Sequence, residues 1–328
     1  MGRIDDFIKN GKLIVMDGAM GTELEKRGYN VSDALWSAKF LSENPDAIAA
    51  IHRDYMEAGA NVITCCSYQA TIPGFVEAGY SEEEAEALIR KSIEIVKETR
   101  EQWWKESGEK KGAEYPVIAG DIGPYGAYLA DGSEYSGSYE LTKDEYKDFH
   151  RKRIEILKDS GAEIFAVETC PKLAEAEAVG ELLEEMGCDF WASFTFKTPT
   201  KISDGTDIEE VAKTMSKFSH LKAIGVNCTP PEIVSDIILN YRKYTDIPVC
   251  VYPNSGEVYD GIKKVWNGAP DGKSYVDRAK DWERVGASFI GGCCRTSPDD
   301  IRAVAELRDK GFKQINNRKV SINLRINP

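Results

Sequence analysis

The amino-acid sequence predicts a single-domain (β/α)8 TIM barrel, an α/β fold in which eight parallel strands alternate with helices. Three observations predict it: eight short apolar runs recur along 328 residues, a longer helical pattern follows most of them, and the runs contain few polar residues. Strands that are apolar throughout are typical of a parallel sheet buried on both faces. We expect the barrel to cover residues 1–311 and residues 312–328 to form a polar tail.

Local sequence signals define the elements of this barrel. Capping-box patterns begin helices at Ser81 and Thr142, each with a glutamate three residues later. Gly59, Gly161 and Gly286 are expected to end helices just before three of the strands. The predicted strands are 13–16, 61–64, 116–119, 164–167, 190–194, 223–226, 249–252 and 288–290.

Two long loops follow predicted strands, residues 123–141 and residues 255–273. We call them the first and second lid segments, because long loops on the active face of a barrel often cover the site. The alternative fold is an open, doubly wound sheet. It is disfavoured because residues 17–21 (DGAMG), after the first strand, lack the glycine pattern of a dinucleotide-binding turn.

Charge and composition narrow the function classes. A formal net charge of −13 and a pI of about 5.0 argue against nucleic acid or an anionic membrane surface as partners and favour small zwitterions or cations. With no signal-peptide or membrane-span pattern, we expect a cytoplasmic protein whose eight cysteines are reduced and form no disulfide framework. The oligomeric state stays open.

Polar residues at the carboxyl ends of barrel strands are catalytic candidates by position. Three of the cysteines stand out: Cys228 ends the sixth strand, and Cys293 with Cys294 ends the eighth, two strands further around the ring. Thiolates that converge in this way can bind zinc, although strand position alone leaves core packing equally open. The strand-end candidates are Asp17, Glu168, Asn227, Cys228, Asn254, Cys293 and Cys294.

The other strand and near-strand cysteines are expected to be packed core thiols. This interpretation covers Cys65, Cys66, Cys188 and Cys250.

Three segments make the sequence resemble the homocysteine S-methyltransferase family: 17–22 (DGAMGT), 225–228 (GVNC) and 291–295 (GGCCR). The resemblance extends over residues 5–310. Three further segments are similar to the branch that uses S-methylmethionine as methyl donor: 67–71 (SYQAT), 125–135 (YGAYLADGSEY) and 252–257 (YPNSGE). Cys65 and Cys66 depart from the family pattern and receive no family role.

The resemblance implies that Cys228, Cys293 and Cys294 bind Zn²⁺ and that catalysis acts through this metal. Three thiolates give the zinc centre a net charge of −1, which suits capture of a thiol as thiolate rather than formation of hydroxide. A catalytic zinc also needs an open fourth position. The resemblance implies that Asn254 fills this position until L-homocysteine displaces it.

The resemblance also implies how L-homocysteine is held. Glu168 matches the residue that accepts the ammonium group, and Asp17 lies beside it. The backbone N–H groups of Gly18 and Ala19 are expected to face the carboxylate, since small residues allow a close approach. For Asp17 and Glu168 the alternative is a strand-end carboxylate that caps a neighbouring loop. The implied product is methionine.

A sulfonium donor, for which we expect S-methylmethionine, is a cation with a neutral leaving group. Aromatic faces bind such cations by cation–π contact. We expect Tyr68 and Tyr128 to bind substrate, and ordinary packing or exposure is the alternative for every aromatic candidate. The candidates are Trp36, Tyr68, Tyr125, Tyr128 and Tyr135.

Other functions stay open at this point. The same acceptor could take its methyl group from S-adenosylmethionine, betaine or a corrinoid protein. A barrel whose zinc is structural and whose function is binding is a different class of protein. A redox protein with vicinal thiols is a third alternative, disfavoured because the sequence has no Cys-x-x-Cys motif.

Overall fold

The computed structural model describes residues 2–32, 34–260, 265–267, 269 and 271–310. In these residues eight parallel strands form one sheet that curls into a nearly closed barrel with helices around it, as predicted. The predicted tail, 312–328, lies outside the described residues. The strands, β1 to β8, are Ile14–Val15, Val62–Thr64, Val117–Ile122, Ile164–Cys170, Phe190–Phe194, Leu221–Asn227, Val249–Tyr252 and Ala287–Ile290.

The helices α1 to α13 connect and surround these strands. They span Arg3–Asn10, Met20–Lys26, Phe40–Glu43, Pro45–Ala58, Ile72–Glu77, Glu82–Trp103, Tyr125–Leu129, Lys143–Ser160, Leu173–Glu185, Ile208–Met215, Val234–Tyr241, Tyr275–Val285 and Pro298–Lys310. Short 3-10 turns lie at Trp36–Lys39, Ser133–Tyr135 and Pro231–Ile233, and a π turn at Trp104–Gly108. Two antiparallel ribbons pair Phe196–Thr198 with Lys201–Ile202 and Val258–Asp260 with Val265–Asn267.

The predicted helix signals are confirmed. Ser81 caps α6 and Thr142 caps α8, each in a complete capping box with the glutamate three residues later. Gly59, Gly161 and Gly286 end α4, α8 and α12 with φ angles of 97°, 105° and 115°, a region that glycine enters without strain.

The barrel closes between β1 and β2 through one side chain as well as backbone pairing. Met16 bridges to Val62, and the Oδ1 atom of Asn61 accepts a hydrogen bond from the Val15 N–H at 2.9 Å. The Asn61 N–H in turn donates to the Val15 carbonyl at 2.6 Å. Asn61 therefore adds a side-chain and a backbone hydrogen bond to the pairing of these two short strands.

The barrel interior is apolar at its lower end and polar at its upper end. Ile4 and Phe7 of α1 are buried with the interior residues of the strands and cover the amino ends of the barrel. Towards the carboxyl ends, the inward positions become Asp121 on β3 and Glu168 on β4, two residues beyond buried alanines. This change from apolar to polar side chains places the reactive groups of the barrel interior at the carboxyl ends of the strands.

No helix in the described part of the chain is long and apolar enough to cross a membrane.

Candidate active site

A cavity of about 380 Å³ opens at the carboxyl ends of the strands. This is the face on which barrel enzymes build active sites. Four residues of the first lid segment contribute to its wall: Ala130, Gly132, Glu134 and Tyr135. Eight of the ten predicted metal-binding and substrate-binding residues line the cavity: Asp17, Gly18, Ala19, Tyr68, Glu168, Cys228, Cys293 and Cys294.

The three predicted ligand cysteines are positioned by two strand ends. Cys228 follows β6 with a φ of 45°, a left-handed conformation that is strained for cysteine and typical of functional sites. Cys293 and Cys294 follow β8 after a glycine pair. A Cβ atom on Gly292 would lie 2.3 Å from Thr296 Oγ1, so only glycine allows this close turn.

The donor set fits a thiophilic metal ion. The three Sγ atoms lie within 4.8 Å of one another. Two sulfur ligands of one tetrahedral zinc ion are about 3.8 Å apart, given a Zn–S bond of about 2.3 Å. Thiolates select zinc over magnesium or calcium, which prefer oxygen ligands. Among the described residues this is the one group of His, Cys, Asp or Glu side chains with metal-binding spacing.

One feature of the cluster departs from the expectation that the cysteines are reduced, although a single bonded pair is not a disulfide framework. Cys228 and Cys293 are joined by a disulfide bond, and Cys294 is free. Sulfur atoms that converge closely enough to share one ion are also close enough for two of them to bond. The bond must be reduced before all three side chains can act as thiolate ligands.

The predicted fourth ligand lies next to this cluster. Asn254 follows β7, and among the described residues its buried Oδ1 atom has no hydrogen-bond partner. Its two neighbours along the chain bind the cysteine turn: the Cys293 N–H donates to the Pro253 carbonyl at 2.9 Å, and the Ser255 N–H donates to the Cys294 carbonyl at 3.0 Å. Asn254 is not among the described residues that line the cavity, so its role as a ligand is supported by the unpaired oxygen and by these backbone contacts to the cysteine turn.

The start of the second lid segment is fixed to the cysteine turn by charge as well as by Ser255. Arg295, directly after the cysteines, donates from Nε to Glu257 Oε2 at 2.9 Å. Of this lid segment, residues 261–264, 268 and 270 lie outside the described part of the chain.

Glu168 is held in place by a network behind it. The next residue, Thr169, has a φ of 56°, and the ladder from β4 to β5 shifts at this point. Asn227 stabilises this strained backbone, because its Oδ1 accepts from the Thr169 N–H at 2.8 Å and its Nδ2 donates to Thr169 Oγ1 at 2.7 Å. Asn227, a strand-end candidate, is fully buried. Its hydrogen bonds position Thr169 and therefore the preceding residue, Glu168.

Asp17 is the second predicted carboxylate, and the protein already satisfies part of its hydrogen-bonding capacity. Its Oδ2 accepts from the Thr64 N–H at 2.8 Å and its Oδ1 from Thr64 Oγ1 at 3.1 Å. The carboxylate lines the cavity while linking the end of β1 to the end of β2.

Both carboxyl groups have raised pKa values. Burial raises the pKa of Asp17 to about 7, against the hydrogen bonds from Thr64 that lower it. Burial raises the pKa of Glu168 to about 8, against a hydrogen bond from Tyr252 that lowers it, and the charge of Asp17 adds to the rise. Near neutral pH both groups hold protons for part of the time, so a cation beside them would favour their ionised forms.

The prediction for the Gly18 and Ala19 backbone needs a correction. The Ala19 N–H already donates to Thr296 Oγ1 at 3.3 Å, so it is not directed at a ligand. A Cβ atom on Gly18 would lie 2.9 Å from the Tyr55 hydroxyl and from Thr296 Oγ1. Glycine is therefore required at position 18 by the packing of the protein itself, and Gly18 alone stays a candidate for contact with a carboxylate.

Three of the five aromatic candidates line the cavity: Trp36, Tyr68 and Tyr135. Trp36 contacts Tyr68 edge to face, with ring centroids 6.3 Å apart. Gly21 packs so closely on the Trp36 ring that a Cβ atom would lie 2.1 Å from it. These aromatic side chains form one wall of the site.

The cavity lining in the described part of the chain does not include Tyr125 or Tyr128. The Tyr128 hydroxyl donates to Glu77 Oε1 at 2.5 Å, and the Tyr125 ring packs on Phe149 with centroids 4.9 Å apart. The α7 helix turns both rings away from the barrel mouth. The structure therefore does not bring the predicted substrate-binding residue Tyr128 to the site.

The first lid segment is anchored by a buried carboxylate that the sequence analysis missed. Glu175 on α9 accepts from the Tyr125 N–H at 2.6 Å and from the Tyr139 hydroxyl at 2.5 Å. Arg153 on α8 donates to the Gly123 carbonyl at 2.7 Å. Both residues lie within helices, where no strand-end rule could single them out.

Asp121 was also missed, although it ends β3 as Glu168 ends β4. It is buried and lines the same cavity. The strand-end position was the signal that could have identified it.

The four cysteines that were predicted to be packed core thiols behave as such. Burial raises the pKa of Cys65 to about 11 and of Cys66 to about 12, so both stay protonated near neutral pH. Cys65 Sγ lies 3.1 Å from Ser67 Oγ. Cys188 and Cys250 are buried, and burial raises the pKa of each. All four are free in the structure.

Comparisons with known proteins point to one family. The sequence profile of the homocysteine S-methyltransferase family matches residues 14–308. Homocysteine S-methyltransferase YbgG of Bacillus subtilis (strain 168) is 45% identical over 306 residues, covering 93% of this chain and 97% of that protein. The crystal structure of the homocysteine methyltransferase MmuM from Escherichia coli in its metallated form gives a TM-score of 0.83 at 39% identity, covering 92% and 99% of the two chains. The crystal structure of the oxidised form of MmuM gives a TM-score of 0.81 at 40% identity, covering 90% of this chain and 95% of that chain.

The fold and the site define a class: (β/α)8 barrel proteins with a three-cysteine centre at the carboxyl ends of the strands. The chain belongs to the homocysteine S-methyltransferase family, since the family profile and the 45% identity both extend over most of its length. The resemblance drawn from the cysteine motifs is confirmed.

The anchoring of the first lid segment by Glu175 can be tested with Glu175→Ala. The variant leaves the Tyr125 N–H and the Tyr139 hydroxyl without their acceptor, and each unsatisfied donor costs about 1–3 kcal/mol. Hydrogen exchange followed by mass spectrometry should show amides in 123–141 exchanging at least about 5-fold faster. Glu177→Ala, on the same helix, is the control. Equal exchange of this segment in the two variants would show that Glu175 does not anchor it.

Proposed function

We propose that the protein transfers a methyl group from a sulfonium donor, S-methylmethionine, to the thiol of L-homocysteine and so makes methionine. The observation that supports this most strongly is the convergence of three cysteine thiols within 4.8 Å in a cavity that also holds Glu168. Membership of the homocysteine S-methyltransferase family is the second support.

The proposed metal is Zn²⁺, bound by Cys228, Cys293 and Cys294, with Asn254 as a fourth ligand that the substrate replaces. When bound, zinc supplies affinity for a thiolate at neutral pH and so keeps the acceptor sulfur in its nucleophilic form. The unpaired Asn254 Oδ1 beside the cysteine turn supports the exchangeable role.

The chain's own residues bind and orient the acceptor. Glu168, backed by the Asn227 and Thr169 contacts, accepts the ammonium group of homocysteine, and Asp17 lies at the same cavity wall. The Gly18 N–H faces the carboxylate. Binding the amino-acid end at two points fixes the direction of the short thiol arm.

Methyl transfer then needs a donor aligned with the acceptor sulfur. The sulfur forms a bond to the methyl carbon while the carbon–sulfonium bond breaks, and the electron pair of that bond stays on the donor sulfur, which leaves as a neutral thioether. No proton has to be supplied to the leaving group. Trp36, Tyr68 and Tyr135 form the aromatic wall that we propose holds the sulfonium by cation–π contact.

We further propose that the protein works in the cytoplasm. Three free thiolates are needed at the centre, and the Cys228–Cys293 pair can form a disulfide. A reducing compartment keeps such a pair open.

The function is tested with purified, reduced protein. It should bind about one zinc ion per chain and form methionine from L-homocysteine with S-methylmethionine, faster than with S-adenosylmethionine or betaine. Cys228→Ser, Cys293→Ser and Cys294→Ser should each lose zinc and activity, because a serine oxygen replaces thiolate poorly. Cys188→Ser, at a buried cysteine remote from the cluster, should keep both. Metal analysis and a methionine assay give the readouts.

Full activity in zinc-free protein would contradict the proposed use of the metal. Methionine formation with betaine alone would contradict the proposed donor. Stable zinc with no methionine from any donor would instead favour a binding protein with a structural metal.

The raised pKa of Glu168 leads to a second test. At pH 7 its carboxyl, with a pKa of about 8, is mostly protonated in the empty cavity. Binding the ammonium of homocysteine should ionise it and release its proton, in addition to about one proton from the thiol. Glu168→Gln should therefore release about one proton fewer than the wild type. Calorimetry in buffers of different ionisation enthalpy measures the difference.

The difference should shrink as the pH rises above about 8, because Glu168 is then already ionised before the ligand binds. Equal proton release by the two proteins at pH 7 would show that Glu168 does not meet the ammonium group.

A further inference from the structure

A third carboxylate in the cavity is left unexplained by the proposed function. Asp121 lies on β3 and is only 5% exposed, yet it lines the same cavity as Asp17 and Glu168. Among the described residues, no hydrogen-bond partner reaches its Oδ1 atom. A buried carboxyl oxygen without a partner is costly, so its presence at a ligand cavity points to a partner that arrives with the ligand.

The protein places a positive charge near Asp121, but that group makes no hydrogen bond to it. Arg153 is the cation whose charge lowers the pKa of this carboxyl, but the guanidinium donates elsewhere, to the carbonyls of Tyr68 and Gly123 at 3.3 and 2.7 Å. Asp17, by contrast, has two hydrogen bonds from Thr64. Asp121 is thus the least satisfied of the three carboxylates.

The arrangement of the three carboxylates suits an organic cation rather than a metal ion. In the described part of the chain their oxygen atoms do not meet the 4.8 Å spacing that marks a metal-binding group. An ammonium group, whose charge-assisted N···O distances are about 2.7–2.9 Å, needs only two of these carboxylates at a time, and its third N–H can donate to another acceptor.

The strand register supports a shared ligand for Asp121 and Glu168. Asp121 pairs with Ala166 across β3 and β4, and Glu168 is two residues beyond Ala166 on the same inward face. The charge of Glu168 raises the pKa of Asp121 further, after burial, which is the largest cause. A positive group between the two carboxyls would relieve both effects.

We propose that Asp121 is a binding residue for the α-ammonium group of the acceptor amino acid, acting beside Glu168. This inference rests on the proposed function, since it assumes an amino-acid thiol as the ligand. It makes Asp121 a determinant of specificity, because a thiol without an ammonium group would leave the Asp121 oxygen unpaired.

The test compares two thiols on reduced, zinc-loaded full-length protein without any methyl donor. L-Homocysteine carries the ammonium group, and 4-mercaptobutanoate has the same thiol and carboxylate but lacks it. Asp121→Asn should lower the affinity for L-homocysteine, measured by calorimetry, about 10-fold to 100-fold, as expected for the loss of a hydrogen bond to a charged group. It should change the affinity for 4-mercaptobutanoate by less than about 3-fold. Glu94→Gln, at an exposed position on α6 that does not line the cavity, is the control and should leave the affinity for both thiols unchanged.

Thermal unfolding separates binding from a structural role. Asp121→Asn should unfold at the same or a higher temperature than the wild type, because it removes a buried carboxyl that has an unpaired oxygen. Asp121→Ser repeats the test with a smaller side chain if the asparagine variant folds poorly. A large drop in unfolding temperature in both variants would make Asp121 structural and overturn the proposal.

Two binding results would also overturn it: unchanged L-homocysteine affinity, or equal losses for the two thiols. An increased KM for S-methylmethionine with unchanged L-homocysteine binding would assign Asp121 to the donor instead. The proposed function fails separately, if the wild type binds L-homocysteine but forms no methionine with any donor. In that case the comparison of the two thiols still decides the role of Asp121.

Discussion

The convergence of three thiols at the ends of β6 and β8 is the constraint on which the rest of the site depends. It requires the parallel order β6–β7–β8, a left-handed backbone at Cys228 and a glycine pair before Cys293. The end of β7 connects the two cysteine segments, because the Tyr252 carbonyl accepts from the Cys228 N–H and the Pro253 carbonyl accepts from the Cys293 N–H. Sulfurs at this spacing can share one metal ion or form a disulfide. The proposed function therefore needs the three cysteines in their reduced form. The barrel backbone alone brings their sulfur atoms together.

The burial of three carboxyl groups is the second physical constraint on the cavity. Asp17, Asp121 and Glu168 are buried together, and burial raises the pKa of each. A zwitterionic ligand changes that balance, because its ammonium group meets carboxyls that hold protons while the cavity is empty. Once these carboxyls are ionised, their negative charge also favours a sulfonium donor, and Trp36 and Tyr68 offer aromatic faces for it. The site is thus matched to two substrates that each carry a positive group.

The sequence predicted the features that depend on local residue patterns, namely the strands, the helix caps and the strand-end residues. All eight strands and both capping boxes are present, and the strand-end rule placed Cys228 and Glu168 at one cavity. It could not predict side-chain directions, which depend on packing between distant segments. The Tyr128 hydroxyl donates to Glu77, the Ala19 N–H donates to Thr296, and α1, which none of the sequence signals indicated, covers the amino ends of the barrel. Residues within helices that make buried contacts, such as Glu175 and Arg153, have no strand-end position by which the sequence could indicate them.

The central claim is that the three cysteines hold zinc with one position open to the acceptor sulfur. X-ray absorption at the zinc edge, recorded before and after L-homocysteine is added to the reduced protein, tests it most directly. We expect a shell of about three sulfurs and one oxygen or nitrogen atom to become about four sulfurs, since the acceptor thiolate replaces a light ligand. A shell that holds four protein ligands and does not change would contradict the account and make the metal structural.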